Sequence, residues 1–140
     1  PSLVEHIKRH RATMVFTAPT AYRVMLSGLA DRSDLASLRV ACSAGETLPK
    51  PVHEDWVART GVPILDCLGS TEMIHVFIGS RFEDAQAGVT GRPVTGYEAR
   101  IVDDDMNDLP PNTPGRKSGY HLQHWHLQEP DALRRPSRMV

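Results

Sequence analysis

The chain has 140 residues, 40% of them hydrophobic and 24% charged, with a formal net charge of −1. That is enough chain for one modest core, and so small a net charge favours neither nucleic acid nor an anionic membrane surface as a partner. No apolar run approaches a membrane span and no charged-then-apolar leader opens the sequence, so neither a membrane nor a secretory route is expected and the expected location is cytoplasmic.

The chain opens on Pro1 rather than Met, which predicts a piece of something longer. Ser2-Leu3-Val4-Glu5 has the form of a capping box, a serine followed three residues later by glutamate. Leu3, Val4 and Ile7 then share a helical face, and Lys8, Arg9 and Arg11 suit the negative end of a helix. Residues 13–16 read as a short buried strand. Pro19 fits the first turn of a second helix, with Tyr22, Met25, Leu26 and Leu29 on one side. Residues 31–37 read as a polar connection, and 38–42 as a strand. Pro49 opens a third helix in which Val52, Trp56 and Val57 share a face, and Gly61 and Pro63 stop it. Residues 64–68 read as another strand. The stretch 38–68 therefore predicts strand, helix, strand: a βαβ unit with its two strands parallel. Past residue 72 the pattern is mixed. Residues 73–78 are apolar around His75, glycines at 88, 91 and 96 punctuate a loop, and 99–102 predicts a strand before an acidic turn at 103–105. Cys42 and Cys67 each end an apolar run and read as buried structural thiols, not as a disulfide framework.

Two short segments carry the chemistry. Ser43-Ala44-Gly45-Glu46 follows the first strand of the βαβ unit and Gly69-Ser70-Thr71-Glu72 follows the second. Parallel strands bring both to the carboxyl edge of a sheet, where open α/β sheets bind ligands. Small residues let backbone approach a ligand, and Thr71 and Glu72 offer the hydroxyl and carboxylate that a phosphate–Mg²⁺ group takes. The plainer alternative is that Gly45 and Gly69 only make turns while Ser70 or Thr71 caps a helix.

Several motifs in order carry a family resemblance. Leu68-Gly69-Ser70-Thr71-Glu72 resembles the adenylate-forming motif of an apolar or aromatic residue, Gly, a small residue, Thr and Glu. Ser43-Ala44-Gly45-Glu46-Thr47-Leu48-Pro49 is similar to the benzoate-CoA ligase form of the adenine-contacting loop, and Phe16-Thr17-Ala18-Pro19-Thr20 with Tyr22 to the substrate-side motif upstream. Gly91-Arg92-Pro93-Val94 before Tyr97-Glu98-Ala99-Arg100 resembles the stretch leading to the next strand pair. The chain is thus similar, over residues 1–116, to the AMP-binding acyl-CoA synthetases, benzoate-CoA ligase branch.

The resemblance implies an α/β fold of parallel βαβ units from the large N-terminal domain of such an enzyme, incomplete here. It implies an ATP- and Mg²⁺-dependent ligase that activates an aromatic acid such as benzoate through an acyl-adenylate and passes it to CoA. By carry-over, Thr71 and Glu72 are catalytic and Glu72 holds the metal; Ala44, Gly45, Glu46, Asp66, Cys67, Leu68, Gly69 and Ser70 contact the nucleotide; and Ala18, Tyr22 and His75 line the acid pocket. A core histidine is the alternative for His75. The family's Lys-ended phosphate loop, ribose-binding aspartate and C-terminal lid lysine are not found in residues 1–140. The isolated chain is therefore expected to be inactive, with CoA not binding it. The alternative is a non-catalytic remnant with at most weak nucleotide binding. Without the family's neighbouring sheets, the apolar faces of the three helices are expected to lack partners.

Residues 117–140 change character. His121, His124 and His126 invite a metal reading, but their spacing matches no specific site. The apolar residues there follow neither helical nor strand spacing. A non-family tail, frameshifted or disordered, is the expectation.

Overall fold

In the computed structural model, which describes residues 2–105, 107–110, 113–114 and 120–121, helix α1 (Leu3–His10) starts on the expected capping box. Ser2 Oγ accepts from the Glu5 backbone N–H at 3.3 Å, and the Ser2 N–H donates to Glu5 Oε2 at 2.6 Å. Both groups would otherwise be orphan donors of a helix start. Ser2→Ala is expected to cost about 1 kcal/mol; a urea melt that overlays the wild type would contradict this.

The chain divides into two compact units, Pro1–Arg92 and Pro93–Val140. In the first, strand β1 (Met14–Thr17) leads through α2 (Pro19–Gly28) to β2 (Val40–Ser43), and α3 (Lys50–Thr60) leads to β3 (Ile64–Gly69). The strands β1, β2 and β3 are neighbours and parallel, with Val15 opposite Ala41 and Ala41 opposite Ile64. The βαβ reading of 38–68 is therefore observed, and a second such unit precedes it. Strand β4 (Val76–Gly79) turns back antiparallel on β3, and the two-residue β5 (Arg92–Pro93) ends the sheet order β1-β2-β3-β4-β5.

All three helices cover one face of this sheet. Val15, Ala41 and Ile64 point to that face and join Val4, Ile7, Tyr22, Met25, Leu26, Val52 and Trp56 in one core. The apolar helix faces expected to lack partners are thus packed on the sheet. On the other face alternation puts Met14 (58% exposed) and Phe16 (49%) beside the buried Val40 and Cys42.

Local periodicity erred in two places. In α3 the buried stripe runs through Val52, His53, Trp56 and Thr60, while Val57 is 38% exposed. The burial of Thr60 is made tolerable by pairing: its hydroxyl donates to the Trp56 carbonyl at 2.7 Å and accepts from the Val62 N–H at 3.0 Å. The expected polar connection at 31–37 contains a one-turn 3-10 helix, Arg32–Leu35, whose Leu35 belongs to the core. Lys8 pairs with Asp34 of that turn at 2.7 Å.

In the second unit, β6 (Arg100–Ile101) pairs antiparallel with β7 (Tyr120–His121), and Val102 bridges to Asp108. Hydrogen bonds from the Asn107 backbone and side chain, with one from the Asp105 N–H, hold the Asp103 carboxyl below its usual range. Apart from residues 120–121, the tail expected to be loosely packed, with His124 and His126, lies outside the described residues.

Candidate functional site at the carboxyl edge of the sheet

Three turns leave the carboxyl ends of the parallel strands. Residues 18–20 follow β1, 44–49 follow β2 and 70–75 follow β3. Because Thr17 is opposite Ser43 and Ser43 is opposite Asp66, all three turns start from one edge. The expected meeting of 44–46 with 69–72 at a single edge is observed, and the 18–20 turn joins them.

The 44–46 loop begins as an extension of the ladder, with the Ala44 N–H donating to the Thr17 carbonyl at 3.2 Å. Gly45 then takes φ +90, which disfavours any side chain, and faces open space. Glu46 is exposed and accepts from Thr20 Oγ1 at 3.3 Å, linking this loop to the first turn of α2. Ala18 precedes that turn and is half-buried.

Gly69 is the last residue of β3, where a register irregularity follows Leu68. A Cβ there would come within 2.7 Å of the His75 carbonyl oxygen. Its bare backbone therefore admits the returning strand, a role that the reading of close approach to a ligand did not foresee. Ser70 to His75 then reverse the chain through two tight turns, the Met73 N–H bonding the Ser70 carbonyl at 3.2 Å and the Ile74 N–H the Thr71 carbonyl at 3.1 Å. Ile74 sits at φ +69 and is 72% exposed. A β-branched residue in that region is strained by about 1–3 kcal/mol, and such strain concentrates at functional loops.

Ser70, Thr71 and Glu72 are all exposed. The Glu72 carboxyl is held below its usual range by its own backbone N–H and by Ser70, so it is an ionised, accessible oxygen donor. His75, exposed in the turn just before β4, lies with its ring centroid 5.7 Å from that of Phe16. Phe16 was not among the expected site residues. Its place in the substrate-side motif was a usable signal, but a strand phenylalanine reads first as core.

One expectation needs correction, and a second takes a narrower form. Tyr22, assigned to the acid pocket, is fully buried. Its hydroxyl bonds the carbonyls of Cys42 at 2.6 Å and Val15 at 3.3 Å, and its ring meets Trp56 edge-on at 4.9 Å. Burial pushes this hydroxyl's pKa up, and the residue presents no surface to a ligand. Asp66, Cys67 and Leu68 were assigned to the nucleotide as a run, yet side chains on a strand alternate between faces. Asp66 is buried and accepts from Thr90 Oγ1 at 2.8 Å, while Cys67 lies on the opposite face, half-buried. A ligand along this strand end would therefore meet the side chains of one face, or the backbone of the whole run. Among the cations, Lys50 pairs with Glu54 at 3.7 Å and Arg100 with Asp108 at 2.9 Å.

The edge is an open ledge. A cleft lined by Arg32, Leu35, Leu38, Thr60 and Gly61 lies at the amino edge instead, away from these turns. Among the described residues no His, Cys, Asp and Glu cluster into a metal-binding group, and no helix is long and apolar enough to cross a membrane.

Comparison with known proteins agrees with this geometry. The model of the family described as "AMP-binding enzyme" matches residues 1–116. A benzoate–CoA ligase of Thauera aromatica is 41% identical over 109 residues, 77% of this chain and 21% of the relative. A 3-hydroxybenzoate–CoA ligase of Aromatoleum sp. (strain CIB) is 32% identical over 136 residues, 93% of this chain and 26% of the relative. That alignment runs past residue 116, where the family match ends. Among solved structures, an anthranilate CoA ligase in complex with anthranoyl-AMP superimposes with a TM-score of 0.72 at 41% identity, covering 77% of this chain and 21% of that one. A benzoate CoA ligase from Burkholderia xenovorans LB400 gives 0.73 at 39% identity, covering 79% and 23%. The chain thus spans about a quarter or less of the length of these relatives. With the fold, the edge loops and the motifs in agreement, the chain belongs to the AMP-binding enzyme family.

Proposed function

We propose that the chain is the central piece of an AMP-forming acid–CoA ligase whose acid is aromatic. The observation that carries this is the parallel register of Ser43 with Asp66, which sets Ala44–Glu46 beside Ser70–Glu72 at one edge. In the proposed reaction the acid's carboxylate attacks the α-phosphorus of ATP and pyrophosphate leaves; CoA thiol then displaces AMP from the acyl-adenylate.

Each residue has a definable part. The open space over Gly45 and the half-buried Ala44 offer a flat surface for the base. The Thr71 hydroxyl donates to phosphate oxygen. Glu72, ionised and exposed, and Thr71 supply the hard oxygen donors that suit Mg²⁺; bound there, the metal would offset charge gathering on the phosphate. Phe16 and His75 present adjacent rings, a surface suited to an aromatic acid. The reading for the aromatic branch draws on the relatives named for benzoate, 3-hydroxybenzoate and anthranilate. A cytoplasmic setting fits two free cysteines.

A single ledge cannot complete the reaction. Positioned cations and dipoles are needed at the phosphates, and the phosphate-loop, ribose and lid motifs are not found in residues 1–140. With ATP, Mg²⁺ and a panel of aromatic acids, the isolated chain is expected to release no pyrophosphate above a Glu72→Ala control. Grafting residues 1–116 in place of the matching segment of a full-length benzoate–CoA ligase is expected to give a chimera that activates aromatic acids. A folded chimera that binds ATP yet forms no adenylate from any acid on the panel would overturn the ligase reading. Turnover by the isolated chain would overturn its incompleteness.

A further inference from the structure

Helix α1 carries two histidines one turn apart, His6 and His10. Residues four apart stand together on one face of a helix, with Cβ atoms about 5–6 Å from each other. The core takes Val4 and Ile7 from this helix, whereas His6 and His10 are both exposed. Their rings lie within 9° of parallel, with centroids 5.9 Å apart. Within the described residues neither imidazole is taken up by a hydrogen bond or an ion pair.

This geometry suits a bridging cation. An imidazole nitrogen bonds a divalent transition metal at about 2.0–2.1 Å. Two such bonds cover about 4.2 Å, and the radii of the two rings make up the rest of the 5.9 Å between centroids. One ion therefore reaches a nitrogen of each ring by side-chain rotation alone, with the helix unmoved. His10 lies in the last turn of α1, where unpaired carbonyls form the negative end of the helix and favour a cation. Lys8 is drawn instead to Asp34 at 2.7 Å, and Glu5 closes the capping box with the Ser2 N–H. Arg9, adjacent in sequence, carries a like charge that weakens the site. The described residues assemble no group of three ligands, so the pair holds two coordination positions and water fills the others.

We propose that His6 and His10 chelate one borderline divalent transition-metal ion, Ni²⁺, Cu²⁺ or Zn²⁺, across one turn of α1. Imidazole suits these ions, whereas Mg²⁺ prefers carboxylate and water oxygens. The site is therefore distinct in chemistry from the Mg²⁺ placed at Glu72. It shares no residue with the edge loops and stands whether or not the ligase reading does. Bound metal ties residue 6 to residue 10 and closes the turn that carries Ile7 into the core. An ion that binds the folded helix better than the unfolded chain stabilises the fold by mass action.

The test titrates the full chain with nickel chloride and follows the imidazole ring signals by NMR, assigned from single histidine variants. Paramagnetic Ni²⁺ broadens the rings that ligate it. The signals of His6 and His10 are expected to fade together, at lower Ni²⁺ than those of His75, His121, His124 and His126. In urea melts Ni²⁺ is expected to raise the midpoint of the wild type and of a variant with His121, His124 and His126 all changed to alanine. It is expected to leave His6→Ala and His10→Ala unmoved. Either single variant is expected to bind Ni²⁺ about 10²-fold more weakly, the low end of what joining two binding groups on one scaffold gains. Mg²⁺ is expected to shift neither ring signal. Earlier fading at His75 or in the tail, His6 and His10 fading separately, or an unchanged Ni²⁺ affinity in either single variant would overturn the proposal. So would displacement of both ring signals by Mg²⁺. Both histidines are exposed, so alanine opens no cavity in the core. Should a variant still fail to fold, the wild-type ring signals decide alone.

Discussion

Trp56→Ala is expected to unfold the first unit or bring it to the edge of unfolding. Trp56 is fully buried at the centre of α3 and meets Tyr22 edge-on at 4.9 Å, with the rings 77° apart. Tyr22 in turn bonds the carbonyls of Val15 and Cys42, on β1 and β2. The indole therefore supports the residue that joins helix α2 to two strands. Truncating a buried tryptophan costs about 3–5 kcal/mol, and the lost aromatic pair adds about 0.5–1.5 kcal/mol. Domains of this size hold only about 5–15 kcal/mol in all. Trp56→Phe separates the contributions. The indole N–H has no hydrogen-bond partner among the described residues, so phenylalanine orphans no acceptor and costs about 1–2 kcal/mol for the volume alone. Urea melts followed by far-ultraviolet circular dichroism should rank alanine well below phenylalanine. Equal midpoints for the two variants would show that the core does not rest on this side chain.

Gly91→Ala is expected to be the most damaging glycine-to-alanine change among the described residues. Gly91 takes φ +121, and a Cβ there would collide with the Gly79 carbonyl group and the Ser80 nitrogen, both backbone and unable to swing aside. The segment before it is latched by two hydrogen bonds, Ser80 Oγ to the Thr90 carbonyl at 3.1 Å and Thr90 Oγ1 to Asp66 Oδ2 at 2.8 Å. Backbone strain and overpacking together cost about 2–5 kcal/mol. If the segment lifts away to relieve the clash, the buried Asp66 carboxylate loses its donor. Thr90→Val removes only that donor and should cost about 1–2 kcal/mol. Gly91→Ala should therefore exceed Thr90→Val in urea, and should also raise hydrogen exchange across residues 85–91. A Gly91→Ala midpoint within error of the wild type would refute the close approach.

The α/β class, the parallel pair within 38–68, the capping box at Ser2 and the meeting of the two edge loops were all legible in the order of the residues. These follow from local rules: hydrophobic period, helix-end chemistry, and the near-obligatory parallel pairing of a short βαβ unit. Family motifs then marked Thr71 and Glu72 on an exposed turn. What they could not decide was the direction of each side chain relative to its neighbours in space. Tyr22 sits in a substrate-side motif but on the buried side of α2, because only tertiary packing supplies the Cys42 and Val15 carbonyls that take its hydroxyl. Asp66 and Cys67 are adjacent in sequence yet separated by the sheet, since which face β3 turns to the helices depends on its register with β2. Val57 shares an apolar pattern with Trp56, but three helices on one sheet face leave room for His53 and Thr60 in the buried stripe instead. The turn back into antiparallel β4, the strain at Ile74 and the contact of Phe16 with His75 likewise arise only when β3 is bent at Gly69. They depend on backbone meeting backbone across long sequence separation, a pairing that no local period encodes.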